Sequence, residues 1–192
     1  MIDSIRYNFE SLSRFSGRDG RGRFWPYAGA VFVLACLSIW LVMAPIFESL
    51  GRIRQFAREH PEEATIVSGP GYYYVSIEGA HPELMPDFEA MMYGIAAVTA
   101  VTALLLAAAV TRRLHDRGRS GAWGLVPLIL LVTGFFGMNI FINFGTGALP
   151  APGLLFLIFL NNLLYLASLV LLVIQLASAG TRGPNRFGAR AE

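Results

Sequence analysis

The sequence predicts an all-α membrane protein with four transmembrane helices and both termini on the cytoplasmic side. Three observations predict it. Of 192 residues, 55% are hydrophobic and only 15% charged, a balance outside that of soluble domains. Four stretches, 24–47, 90–110, 122–144 and 153–177, contain no charged residue at all. Each is at least 21 residues long, and about 20 helical residues cross a bilayer core of about 30 Å. The third observation is the placement of the arginines, which supply all 15 of the Lys and Arg residues. Arg6, Arg14, Arg18, Arg21 and Arg23 precede the first apolar run. Arg112, Arg113, Arg117 and Arg119 lie between the second and third, and Arg182, Arg186 and Arg190 follow the fourth. The remaining three, Arg52, Arg54 and Arg58, share segment 48–89 with eight acidic residues. Basic residues favour the cytoplasmic side, so 48–89 is expected outside and the rest of the loops inside. The whole chain, 1–192, is then a single membrane domain, with residues 1–23 and 178–192 as its cytoplasmic ends.

Taken in order, Ile2, Ile5, Phe9 and Leu12 fall on one face of a helix, which predicts an amphipathic helix in the cytoplasmic interface. The first apolar run is too long for a signal-peptide core and is read as a retained helix. Beyond it, Leu50, Ile53 and Ala57 keep helical spacing and predict an extension ending near His60-Pro61. Residues 65–67 and 72–77 flank Ser68-Gly69-Pro70-Gly71, the pattern of a small β-hairpin resting on the helix ends. Tyr72, Tyr73 and Tyr74 suit a membrane interface. In the second run Ala96, Ala100, Ala103 and Ala107 share a face near Gly94, predicting close helix packing. The third and fourth runs hold four amides, Asn139, Asn143, Asn161 and Asn162, for which hydrogen bonds between helices are expected. A polar solute path is the alternative. The four runs contain no Asp, Glu, Lys, Arg or His, which argues against a proton-coupled carrier.

The segments between and beside the runs share arginine, glycine and an aromatic or turn residue. They are Phe15-Ser16-Gly17-Arg18-Asp19-Gly20-Arg21-Gly22-Arg23-Phe24-Trp25, Arg112-Arg113-Leu114-His115-Asp116-Arg117-Gly118-Arg119-Ser120-Gly121-Ala122-Trp123, and Gly180-Thr181-Arg182-Gly183-Pro184-Asn185-Arg186-Phe187-Gly188. On these residues the chain resembles the bacterial inner-membrane proteins of the "domain of unknown function 805" family. The family's marks are a GR-x-x-R-x-x-FW entry, an RRLHD-x-G-x-SG-x-W middle loop and a G-x-N-x-[FY]G exit. The resemblance implies a polytopic inner-membrane protein and no established activity. A weak internal repeat accompanies it, since each half enters after Arg-Gly-Arg and leaves through Thr111-Arg112 or Thr181-Arg182.

Function must come from sites. His115 beside Asp116 invites a catalytic reading on lipid headgroups, but adjacent side chains usually diverge and no serine or cysteine nucleophile accompanies them. The structural reading is favoured: Asp116 pairs with Arg112, Arg113 or Arg119 across a tight turn made by Gly118 and Gly121. No metal site or cofactor is expected, since His60 and His81 belong to the other side and Cys36 is the one cysteine. The arginines fit phosphate, and each is worth about 1 kcal/mol near an anionic leaflet. The candidate lipid- or partner-binding residues are therefore Arg18, Arg21, Arg112, Arg113, His115, Asp116, Arg117, Arg119, Arg182, Asn185 and Arg186. Short basic segments pinned to a membrane argue against nucleic acid. The expectation is a non-enzymatic scaffold or accessory protein whose partner is anionic membrane lipid, another membrane protein or a second copy of the chain. The runner-up is a channel or carrier for a small neutral or lipid-like solute through the asparagine region.

Overall fold

The computed structural model describes residues 1–143 and 152–189, with the side chains of 139–143 outside the description. Asn139, Asn143 and Arg190, named above, therefore lie outside the described side chains. The chain is mostly helical, and four helical segments are long and apolar enough to span a membrane. Their order is α1 (Ile2–Glu10), α2 (Arg21–Val42), α3 (Ala44–Glu59), β1 (Ala64–Gly69), β2 (Tyr72–Ile77), α4 (Phe88–Asp116), α5 (Leu125–Asn143) and α6 (Pro152–Ala177). Short 3₁₀ turns occupy Pro82–Leu84 and Gly121–Gly124. Two compact units result, one of Met1–Phe32 with the chain from Thr102 onward, the other Val33–Val101.

In the second unit the helix that continues the first apolar run is interrupted. Met43 forms the N-cap of α3 and Pro45 stands in its first turn, where the missing N–H is harmless at a start but breaks a continuous ladder. The helix stops at Glu59 with His60 as its C-cap, next to Pro61 as the sequence predicts. The hairpin forms in the predicted place, antiparallel with Gly69 opposite Tyr72. Gly71 takes a φ of 84° after Pro70, the proline-glycine pattern of a type II turn. Arg54 lies 5.4 Å over the Tyr73 ring, so the hairpin leans on α3 through a cation–π contact. Phe56 holds the His60 and His81 rings, with centroids 4.5 Å and 4.6 Å away. Gly94 brings α4 against Val42, whose Cγ1 lies 2.8 Å from where a Cβ would stand, as the small-residue face predicts.

In the first unit Phe24, Tyr27, Val31, Ala109, Leu114 and Leu176 form the core. The Tyr27 hydroxyl donates to the Leu105 carbonyl at 2.8 Å, which satisfies a polar group that hydrocarbon would penalise. Helices α5 and α6 pack where Gly134 and Gly137 face Asn161 and Ile158. Asn161 donates to the Leu130 carbonyl at 2.9 Å and accepts from Thr133 Oγ1 at 2.7 Å. Hydrogen bonding between helices is thus the role of Asn161, with a threonine and a carbonyl as its partners. Asn162 turns instead to its own helix, donating to Ile158 O at 2.9 Å.

One local expectation changes. Helix α4 does not stop at Val110 but runs six residues on to Asp116, so Arg112, Arg113, His115 and Asp116 are helical rather than part of a loop. Nothing in that stretch breaks a helix until Gly118, whose φ is 70°. There Gly118 N–H bonds His115 O and Arg119 N–H bonds Leu114 O, the paired closure of a Schellman motif. In α1 the structure adds a detail that the apolar spacing does not give. Its inward residues are the polar Ser4 and Asn8, while Ile2 and Phe9 remain exposed. The helix thus docks on the protein through Ser4 and Asn8, with Ile5 packed against the core, and leaves Ile2 and Phe9 outward.

Candidate functional site

Helix α4 ends by delivering two consecutive arginines into the interior of the first unit. Consecutive residues on a helix point about 100° apart, and Arg112 and Arg113 accordingly reach in different directions. Arg112 turns toward the amino-terminal segment. Its Nε meets Asp19 Oδ2 at 2.6 Å, Nη2 donates to Asn8 Oδ1 at 2.7 Å, and Nη1 donates to the carbonyls of Ser11 and Arg14. Asp19 is further tied by its own N–H to Arg112 O at 3.2 Å and by the Tyr7 hydroxyl at 3.2 Å. The Tyr7 ring covers the Arg112 guanidinium at 5.6 Å.

Arg113 turns toward the carboxyl-terminal end of α6. Its Nε donates to Leu176 O at 2.9 Å, Nη2 to Ser178 O, and Nη1 to Asp116 Oδ2. Arg117 adds a bond to Ala179 O. A helix ends with unpaired carbonyls carrying partial negative charge, and these two arginines satisfy them. Asp116, one turn on from Arg113, takes Arg18 on its other oxygen, with Nε at 3.1 Å and Nη2 at 2.9 Å. Arg18 then reaches the tail through Thr181 O, Gly183 O and Gly188 O, at 2.9 Å, 2.9 Å and 3.2 Å. All five N–H groups of its guanidinium are engaged.

The tail is shaped to receive this. Thr181 N–H bonds Asp116 O at 2.9 Å, and Asn185 Nδ2 bonds His115 O at 2.9 Å. A turn closed between Asn185 and Gly188 presents Phe187, whose ring stacks on His115 at 3.9 Å and 5°. His115 Nδ1 faces Gly17 O at 3.2 Å. Gly180 must be glycine because a Cβ there would strike the Asp116 carboxylate.

The side chains of Arg18, Arg112, Arg113 and Asp19 are at most 1% exposed and that of Asp116 7%. Three guanidinium groups thus share two carboxylates, and the remaining positive charge is met by backbone carbonyls of the segment after α1, of the end of α6 and of the tail. Charges so deeply placed are tolerated only when paired and fully hydrogen-bonded. The three arginine-glycine segments, far apart in the chain, form one clamp that binds the amino-terminal segment, α4, α6 and the tail.

The predicted site residues therefore separate into two groups. Arg18, Arg112, Arg113 and Asp116 are buried, with His115, Arg117 and Asn185 half-buried around them. Arg21, Arg119, Arg182 and Arg186 are exposed. Of the three partners expected for Asp116, Arg113 pairs with it, Arg112 takes Asp19, and Arg119 lies 5.6 Å over the Trp123 ring. Asp19, Asn8 and Tyr7 belong to the clamp although the sequence reading did not name them as site residues, and Thr181, marked only by the internal repeat, belongs to it as well. Among the first three Asp19 carried a signal, being the one acid among the arginines of residues 14–23.

No curated protein and no solved structure matches this chain. The family model described as "Protein of unknown function (DUF805)" matches residues 12–189, which take in all three arginine-glycine segments. Its span covers every element of the clamp but α1, and the chain belongs to that family of membrane proteins.

Proposed function

We propose that this protein is a non-enzymatic scaffold or accessory protein of the bacterial inner membrane, and that its arginine-rich face lies in the cytoplasm and holds anionic phospholipid. One observation carries the reading. The clamp consumes Asp19 and Asp116 inside the protein, while Arg14, Arg21, Arg23, Arg119, Arg182 and Arg186 stay exposed on the same unit together with Phe15, Trp25 and Trp123. Exposed arginines beside interfacial aromatics are the chemistry of a surface against phosphate headgroups. The buried arginines support it indirectly by giving that face a fixed shape. The geometry around His115 and Asp116 favours structure over catalysis, since both Asp116 oxygens are taken by arginine and the His115 ring is covered by Phe187.

The test uses purified full-length protein in mild detergent. A ligand that binds only the folded state raises its stability, so phosphatidylglycerol should raise the melting temperature and phosphatidylcholine should not. Glutamine at Arg14, Arg21, Arg119 and Arg182 removes no side-chain contact of the clamp. That variant should keep its melting temperature in detergent and lose the phosphatidylglycerol shift. A full shift in the fourfold variant, or an equal shift with phosphatidylcholine, overturns the proposal.

A further inference from the structure

The clamp does not use one feature of the unit that carries it, an open groove of about 260 Å³ between α4, α5 and α6. Ala103 and Ala107 of α4 line it, with Gly124 and Leu128 opposite and Leu169 and Leu172 of α6 beside them. Ala103 and Ala107 stand where larger residues would fill the space, while Gly121 and Gly124 let their turn approach Thr111 and Val110 of α4. This also revises the expectation for the alanine face of α4, which at Ala103 and Ala107 borders a groove rather than a packed helix. From Thr111 at one end to Ala103 at the other is eight residues, or about 12 Å of helix at about 1.5 Å per residue. That depth fits within one leaflet, half of a core of about 30 Å.

The two ends differ. Ala103 marks an apolar end. At the other stand Phe15, Thr111 and Gly121, flanked in the chain by two exposed arginines, Arg14 beside Phe15 and Arg119 two residues before Gly121. Phe15 is set there by the clamp, because Arg112 holds the carbonyl of Arg14. An apolar trough with a basic mouth complements an amphiphile with an aliphatic tail and an anionic head.

We propose that this groove takes one acyl chain of an anionic glycerophospholipid, whose phosphate sits on Arg14 and Arg119. The inference rests on the lipid-binding reading above and adds to it a defined site on the chain. Hydrocarbon gains little by leaving hydrocarbon, so selectivity comes from the headgroup, and each arginine should contribute about fivefold in affinity.

The experiment is native mass spectrometry of the purified full chain with added dioleoyl phosphatidylglycerol or dioleoyl phosphatidylcholine. Ala107→Phe fills the groove near its middle and Ala103→Phe at its deep end. Leu104→Phe, at a residue 72% exposed, is the control. The expected result is one retained phosphatidylglycerol in the wild type and in Leu104→Phe, and none in either groove variant. Arg14→Gln with Arg119→Gln should cut retention about 25-fold while leaving the empty protein folded. Retention in both groove variants overturns the groove as the site and leaves the arginine-face reading standing. Absence of retained phosphatidylglycerol in the wild type overturns both. Equal retention of phosphatidylcholine overturns the assignment of the headgroup to Arg14 and Arg119.

Discussion

Arg112 and Asp19, 93 residues apart in the chain, meet as an ion pair with Nε 2.6 Å from Oδ2 and neither side chain more than 1% exposed. Breaking such a pair leaves an uncompensated buried charge, which typically costs about 3–5 kcal/mol. Asp19→Asn should therefore lower stability by about that amount, read as thermal unfolding in detergent. Arg112→Lys keeps the charge but loses the fork that spans Asp19, Asn8 and two carbonyls, and it should also destabilise strongly. Wild-type melting in both variants would show that the pair holds nothing together.

The fit of the tail against Asp116 gives a narrower prediction. Gly180→Ala places a methyl group on the carboxylate, whereas at Gly183 nothing lies within 4 Å of an added Cβ. Overpacking of a rigid site costs about 1–3 kcal/mol. Gly180→Ala should lose stability on that scale and Gly183→Ala should not. Equal melting temperatures for the two variants contradict the placement of the tail.

Between α5 and α6, Thr133 and Asn161 share a hydrogen bond of 2.7 Å. A double-mutant cycle with Thr133→Val and Asn161→Leu should give a coupling of about 0.6 to 1.7 kcal/mol, the range measured for hydrogen bonds within membranes. Additive effects would remove this bond from the account of the helix pair.

In the second unit, His81 has its pKa raised from 6.5, first by the hydrogen bond to Glu83 and further by the Glu78 carbonyl and nearby carboxylates. A raised folded value means that protonation and folding favour each other. The contribution is complete below about pH 6.5, the value of a free imidazole, and is lost as pH rises through the raised folded value. Proteolysis within residues 61–87 should accordingly quicken on the alkaline side, and an NMR titration should place His81 above its ordinary value. Glu83→Gln should bring it down; an unmoved titration curve would remove Glu83 as the cause.

Orientation can be read by labelling. With Cys36 replaced, Ser68→Cys in the hairpin and Ser120→Cys before the Gly121–Gly124 turn should respond differently to an impermeant thiol reagent on intact cells. Only position 68 should react. Reaction at position 120 without lysis reverses the orientation and removes the cytoplasmic face from the proposed function.

Much of the architecture was legible because the signals are local. Four uncharged runs of spanning length, a proline-glycine turn between β-rich segments, and His60-Pro61 after a helical pattern each act over a few residues, and each has its counterpart in the structure. The uncharged run ends at Val110, but charge does not mark the end of the second spanning helix, which continues to Asp116. Backbone hydrogen bonding continues through Arg112 and Arg113, whose side chains find partners on other segments, and stops only where Gly118 supplies a left-handed conformation. In α1 the apolar spacing marks the face left outward, and Ser4 and Asn8 dock inward because Arg112 and the Arg23 carbonyl offer them partners that lipid cannot.

What the sequence determined by itself is the class of the protein: helices of spanning length, their number, and the collection of arginine in three short segments. It also marked those segments as the place to look, through spacings that a family model recognises. It could not tell which arginines face inward. Arg18 and Arg21 look alike in the chain, as do Arg113 and Arg119, but one of each pair is buried and saturated while the other is exposed. Only the tertiary structure decides this, because a guanidinium becomes a structural clamp or a binding group according to whether carboxylates and helix-end carbonyls from distant segments converge on it.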